Sequence, residues 1–242
     1  MAERRQMHAD LVRAPGVQLA PQRALDDEPR ARISRYRCGS ATFRMNVALS
    51  ELPDFAAAPG THLQPHHQSG ILIGSSLLYF EQAYFDAKSK EHNAGWARRP
   101  IVELVISSTL DDTLAPPGQH VASLFCQHVH PEVDGGWDAH RETVANLMID
   151  TVDTWAPNFR RSVLGYQALS PLDLERTFGL IGGDIFHGAL GPDQLFSARP
   201  LLGQGTLVHP DHPDPAVVLT GVVAEDRSEA WYVLATVAAS NN

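Results

Sequence analysis

Strand-like and helix-like periodicities both occur, in separate stretches of one 242-residue chain, a pattern compatible with an α+β fold. Within Ala41–Leu49, Phe43, Met45, Val47 and Leu49 alternate with Arg44, Asn46 and Ala48, the period-two pattern of a strand with one buried face. Within Asp138–Trp155, Val144, Leu147, Met148, Thr151, Val152 and Trp155 fall on one side of a helix, and Leu147, Met148 and Val152 are expected to be buried. Between these two stretches, short apolar runs bounded by glycine and proline read as further strands.

In chain order, residues 1–29 are rich in arginine, alanine and proline and end in Asp26-Asp27-Glu28-Pro29, so a poorly ordered lead-in is expected. The strand at Ala41–Leu49 places Arg44 and Asn46 on its polar side, facing either solvent or a ligand. Leu52-Pro53-Asp54-Phe55 and Ala58-Pro59-Gly60 make turns, and Gly70–Gly74 is a short strand between glycines. Ser75 or Ser76 can cap a helix over Leu77–Lys88, followed by a polar loop from Lys88 to Arg99. Ile101–Ser107 and His120–His130 read as two strands joined through Asp111-Asp112 and Ala115-Pro116-Pro117-Gly118. The helix at Asp138–Trp155 ends before Pro157, and Ser162–Leu169 is another strand.

The histidines do not make a metal site by pattern. His62, His66 and His67 share a Pro/Gln/Ser loop with no acidic or thiolate partner nearby, and His120, His128 and His130 alternate along a strand with apolar residues and Cys126. A polar loop accounts for the first group and a mixed-polarity sheet face for the second, and no metal is expected.

Leu169–Pro200 is the most informative stretch. Ser170 can cap a helix with Pro171 at its first position, Asp173 completes a capping-box pattern, and Gly179 can stop the helix in the left-handed region. Gly182-Gly183 and Gly188 then bracket Asp184, Ile185, Phe186 and His187. Glycines on both sides let backbone approach another group closely, either in a pocket wall or in a tight turn between packed elements.

The run Ser170-Pro171-Leu172-Asp173-Leu174-Glu175-Arg176, then Gly182-Gly183-Asp184-Ile185-Phe186-His187-Gly188, then Asp193-Gln194-Leu195-Phe196 and Arg199-Pro200 resembles the late signature of the phytoene desaturase-like flavoprotein oxidoreductases, above all their phytoene dehydrogenase-related branch. Arg35-Tyr36-Arg37-Cys38, Thr42–Leu49 and Leu52-Pro53-Asp54-Phe55 resemble the same branch, and the likeness runs from about Arg30 to Gly203.

That resemblance implies an α+β, substrate-domain-like body over 30–203, a mixed or antiparallel sheet carrying helices on one face, as in amine oxidase and phytoene desaturase-like enzymes. It implies FAD as the cofactor of intact relatives, hydride removal from a C–C bond, and an apolar small-molecule substrate. By matched position it places Gly182, Gly183, Asp184, His187, Gly188 and Arg199 near substrate or flavin, with Arg44 and Asn46 as further candidates; no nucleophile or catalytic triad is apparent. The Gly-x-Gly-x-x-Gly turn that cradles a dinucleotide pyrophosphate is absent, and so is a glycine-rich C-terminal flavin segment. FAD retention by this chain alone is therefore not expected.

Residues 204–242 depart from the family and read as a divergent tail, out of frame in one reading. A non-catalytic truncated product, or the binding subunit of a split flavoprotein, is the competing class. A separate flavin domain or self-association is the expected partnership, through an exposed surface that includes Ile181, Ile185, Phe186, Leu195 and Phe196.

Composition narrows the classes further. With 19 basic against 28 acidic residues the formal charge is −9, which argues against a nucleic-acid partner. Lys88 and Lys90 are its lysines and every other basic residue is arginine, a bias that goes with GC-rich coding sequence. Cys38 and Cys126 form no Cys-x-x-Cys motif, no apolar run reaches membrane-helix length, and a reducing cytoplasm is the expected compartment.

Overall fold

The computed structural model describes residues 35–89, 95–186, 188–189, 191–194, 206–208 and 218–220. The expected lead-in at 1–29 and most of the tail at 204–242 lie outside them. The chain divides into two compact units, Ser40–Ile185 and a second made from Met1–Gly39 with Phe186–Asn242.

The first unit is built on a five-stranded sheet of β1 (Phe43–Leu49), β2 (Ile71–Ile73), β3 (Trp96–Val105), β4 (His120–Val129) and β5 (Val163–Leu169), in the order β2-β3-β4-β1-β5. Every pairing is antiparallel, so of the two expected sheet types it is the antiparallel one. Its helices are α1 (Leu77–Lys88), α2 (Trp137–Trp155), the single turn α3 (Phe159–Ser162) and α4 (Pro171–Phe178). In the second unit, β6 (Thr206–Val208) pairs with β7 (Val218–Thr220).

Alternation on β1 sets the core. Phe43, Met45, Val47 and Leu49 are fully or almost fully buried, and they pack with Val102, Leu104, Leu124 and Cys126 of the neighbouring strands against Val144, Met148 and Val152 of α2. Leu147, expected inside, is half-buried at the border of that stripe. At 3.6 residues per turn the stripe drifts, and it centres on Val144, Met148 and Val152 with Ala145 and Ile149 on its other flank.

The helices are divided between the faces rather than gathered on one. Ile101, one residue from the core-facing Val102, points to the opposite side and is buried with Ala97 under Tyr79 and Ala83 of α1. β3 also starts earlier than the expected Ile101, because it continues through a register shift between Trp96 and Ile101. Pro100 lies in that shift, where its missing N–H breaks no ladder, and Asp86 on α1 receives the Arg98 backbone N–H and guanidinium.

The helix starts follow their caps. Ser76 Oγ accepts from Tyr79 N on α1, and Ser170 and Asp173 form a reciprocal capping box on α4, which has Pro171 at its first position and left-handed Gly179 at its end. Ser170→Ala is expected to lower stability by about 1 kcal/mol, read from the urea midpoint, because it leaves a helix N–H unpaired.

Candidate functional site

Two places carry the residues singled out by sequence: the glycine segment after α4, and the sheet face turned away from α2. The glycine segment is positioned by α4, which Arg141 and Arg176 tie to α2 through ion pairs to Asp173 and Asp138. After Gly179 the chain folds back on its own helix, and the Gly182 N–H donates to Glu175 Oε2 at 2.8 Å. Gly183 sits at φ +65°, and a Cβ there would lie 2.5 Å from Pro171 Cα. Both properties demand glycine, and both are satisfied by packing within the segment.

Asp184 follows and is 1% exposed. Its Oδ2 accepts the Ser40 N–H at 3.1 Å, and its backbone bridges to Ala41 just before β1. The acid thus fastens the glycine segment to the strand that carries Arg44 and Asn46. Close by, Lys88 at the end of α1 donates to the Val129 carbonyl at 2.7 Å. Burial lowers the Lys88 pKa to about 8, against the Asp184 carboxylate, which pulls it up. Burial, then the Lys88 charge, lowers His128 on β4 to about 4, and the ring stands edge-on to Tyr84 of α1 at 5.4 Å.

The sequence reading missed Lys88 and His128 as a group. One signal was available: Lys88 is one of two lysines in the chain and follows Ala83 and Ala87 on the buried side of its helix. The His128 shift gives a pH dependence. The folded pKa lies below the unfolded one, so His128 contributes its full stability above about pH 6.5, and that contribution is lost as the pH falls towards about 4. Urea midpoints compared between about pH 7 and about pH 4.5 are expected to drop further in the wild-type chain than in His128→Phe.

On the sheet, Arg44 and Asn46 lie on the face away from α2. Arg44 Nη2 donates to Ser123 Oγ at 3.0 Å, and its guanidinium stands 5.3 Å from the Phe125 ring centroid. Asn46 is exposed, with its amide 3.5 Å from that of Gln167 on β5. A shallow depression of about 270 Å³ opens at Asn46, lined also by Val47, Ala48, Val121, Gly165, Tyr166 and Gln167.

The structure brings Gly182, Gly183 and Asp184 together and links them to β1 through Ser40 and Ala41. Gly188 lies in the second unit at φ +134°, where Tyr36 fills the space a Cβ would need. In that unit Arg37 pairs with Asp193, and Gln194 holds the Arg37 backbone on both sides. His187 and Arg199 lie outside the described residues. Of the apolar residues expected at an exposed surface, Ile181 and Ile185 are half-buried, Phe186 is exposed, and Leu195 and Phe196 lie outside the described residues. Leu77, Leu78 and Phe85 of α1 and Leu72 of β2 are more exposed than Phe186.

The histidines are separated in their roles. His67 is fully buried: its Nδ1 accepts from Gln64 N, its Nε2–H donates to the Pro53 carbonyl, and this pair of bonds fixes the ring's orientation. His120 meets Ser108, whereas His130 meets Glu132. Among the described residues no three His, Cys, Asp or Glu side chains are arranged to hold a metal ion, and no helix is long and apolar enough to cross a membrane.

No protein-family model matches the chain. Among curated proteins it is similar to a Rattus norvegicus protein named pyridine nucleotide-disulfide oxidoreductase domain-containing protein 2, 44% identical over 192 residues that cover 76% of this chain and 32% of the rat protein. The Mus musculus protein of the same name is 43% identical over 192 residues, with the same shares covered. The chain spans about a third of the length of these curated relatives, which are oxidoreductase-domain proteins by name.

Proposed function

We propose that the chain is the substrate-domain portion of a flavin-dependent oxidoreductase of the phytoene dehydrogenase-related kind, acting in hydride removal from a C–C bond of an apolar substrate. The reading rests on one observation above others. The composite Ser-Pro-Leu-Asp-Leu-Glu-Arg and Gly-Gly-Asp-Ile-Phe-His-Gly signature occurs in a chain whose curated relatives are named for an oxidoreductase domain. The antiparallel sheet with packed helices agrees with such a domain in class.

Neither the glycine segment nor the start of α4 fits the pyrophosphate of FAD. A pyrophosphate cradle needs free backbone N–H groups at a helix N-terminus. Here the Gly182 N–H is taken by the Glu175 carboxylate, Gly183 is closed against Pro171, and the start of α4 is occupied by Ser170 and Asp173. A carboxylate at such a place also repels phosphate. In this reading the flavin belongs to a separate domain, and this chain contributes substrate contacts from the sheet face and the glycine segment.

Two outcomes test the proposal. Purified alone, the chain is expected to be colourless after gel filtration; stoichiometric flavin absorbance would overturn the division of labour. Co-expressed with the part of the rat relative outside the matched stretch, it is expected to give a yellow complex whose flavin is bleached anaerobically by an apolar polyene. A flavin-loaded complex that no apolar substrate reduces would refute the reaction class.

A further inference from the structure

The sheet face away from α2 has a composition that sequence alone did not resolve. Cross-strand partners point to the same side, so Arg44 lies in one row with Phe125, Glu103 and Leu72 on one hand and Leu169 on the other. The next row holds Asn46, Ser123 and Gln167, and the row beyond it Ala48, Val121 and Gly165. From Arg44 to Ala48 the strand runs four residues, about 13 Å.

Arg44 differs from most of the described arginines. Arg37, Arg98, Arg141, Arg160, Arg161 and Arg176 each pair with a carboxylate. Among the described residues Arg44 has none: its partners are the Ser123 hydroxyl and the Phe125 ring, which fix the guanidinium and use one of its five donors. Glu103 is two strands away, about 10 Å, with Phe125 between them. A half-buried, orientated guanidinium with spare donors has the chemistry to pair with one acidic group.

Leading away from it are half-buried apolar groups, Phe125, Val121 and Ala48, and then the depression at Gly165, where a Cβ would meet nothing within 4 Å. Glycine inside an edge strand, with open space over it, leaves room for a ligand to lie on the backbone. The row of Asn46, Ser123 and Gln167 lies across that track, between Arg44 and the depression.

We propose that this face binds an amphipathic monoanion, its acidic group on Arg44 and its apolar part lying along Phe125, Val121 and Ala48 towards Gly165. The site extends the oxidoreductase reading by naming a substrate class, an apolar molecule with one acidic end. Its test is a binding measurement that needs no flavin, so it can fail while that reading stands.

Calorimetric titration of the full chain with dodecanoate is expected to show saturable binding, with dodecanol, the neutral counterpart, weaker by roughly tenfold or more, the loss of a charge-assisted hydrogen bond. Arg44→Gln is expected to reduce dodecanoate to the affinity of dodecanol, whereas Arg161→Gln, at an exposed arginine paired with Glu51, leaves it unchanged. Gly165→Val supplies an independent arm: the strand has space for the side chain, and the filled depression is expected to weaken both probes while Arg44 is untouched. Equal affinity for acid and alcohol, dodecanoate binding that survives both Arg44→Gln and Gly165→Val, or no binding of dodecanoate at all would overturn the proposal.

Discussion

Met148→Ala is expected to cost about 2–5 kcal/mol and to lower the urea midpoint without a change in slope. Met148 is fully buried at the centre of the α2 stripe, between Val144 and Val152, and packs into the cluster that includes Phe43, Met45, Leu104 and Leu124. The cost combines lost apolar transfer with the cavity left behind, because a sheet held by four antiparallel pairings cannot collapse onto the missing side chain. Leu147→Ala is the control. Half-buried at the edge of the same stripe, it is expected to cost clearly less, and an equal loss would show that α2 is rotated about its axis so that Leu147 faces the sheet.

The elements with a clean period were legible in the sequence. Alternation on β1 marked Phe43, Met45, Val47 and Leu49 as core, and Ser76, Ser170, Pro171 and Gly179 marked helix ends, because both signals act through neighbours within a few residues. The start of β3 was not legible: Arg98, Arg99 and Pro100 break the apolar pattern, and the strand is held there by Asp86 and Tyr79 of α1, partners visible only in three dimensions. The same holds for the face that α1 covers, since Ile101 follows the register shift rather than a simple period.

The candidate site divides in the same way. Sequence resemblance singled out Gly182, Gly183 and Asp184 as candidates, but not what they contact. Asp184 meets Ser40, 144 positions away in sequence, with Lys88 and His128 supplied by two other elements. Arg44 and Asn46 were placed on the correct strand face by alternation alone. That Arg44 lacks a carboxylate there depends on Phe125 and Ser123 of β4, which no local pattern brings beside it.

Gly183→Ala is expected to be the most costly glycine replacement in the segment, at about 2–4 kcal/mol, because it combines left-handed backbone with an overlap that must move backbone. At φ +65° an L side chain is strained, and its Cβ would lie 2.5 Å from Pro171 Cα and 3.0 Å from the Pro171 carbonyl oxygen, neither of which can rotate away. Gly179→Ala separates the two contributions. Gly179 has φ +70°, but a Cβ there would meet nothing within 4 Å, so its replacement bears the conformational cost alone, about 1 kcal/mol. The difference between the two urea midpoints therefore measures how tightly the glycine pair is closed on α4. If Gly183→Ala is as mild as Gly179→Ala, the pair is loose enough to open, and its N–H groups become available to a ligand. A large difference shows that the pair is closed against Pro171 at the start of α4 and acts there through packing.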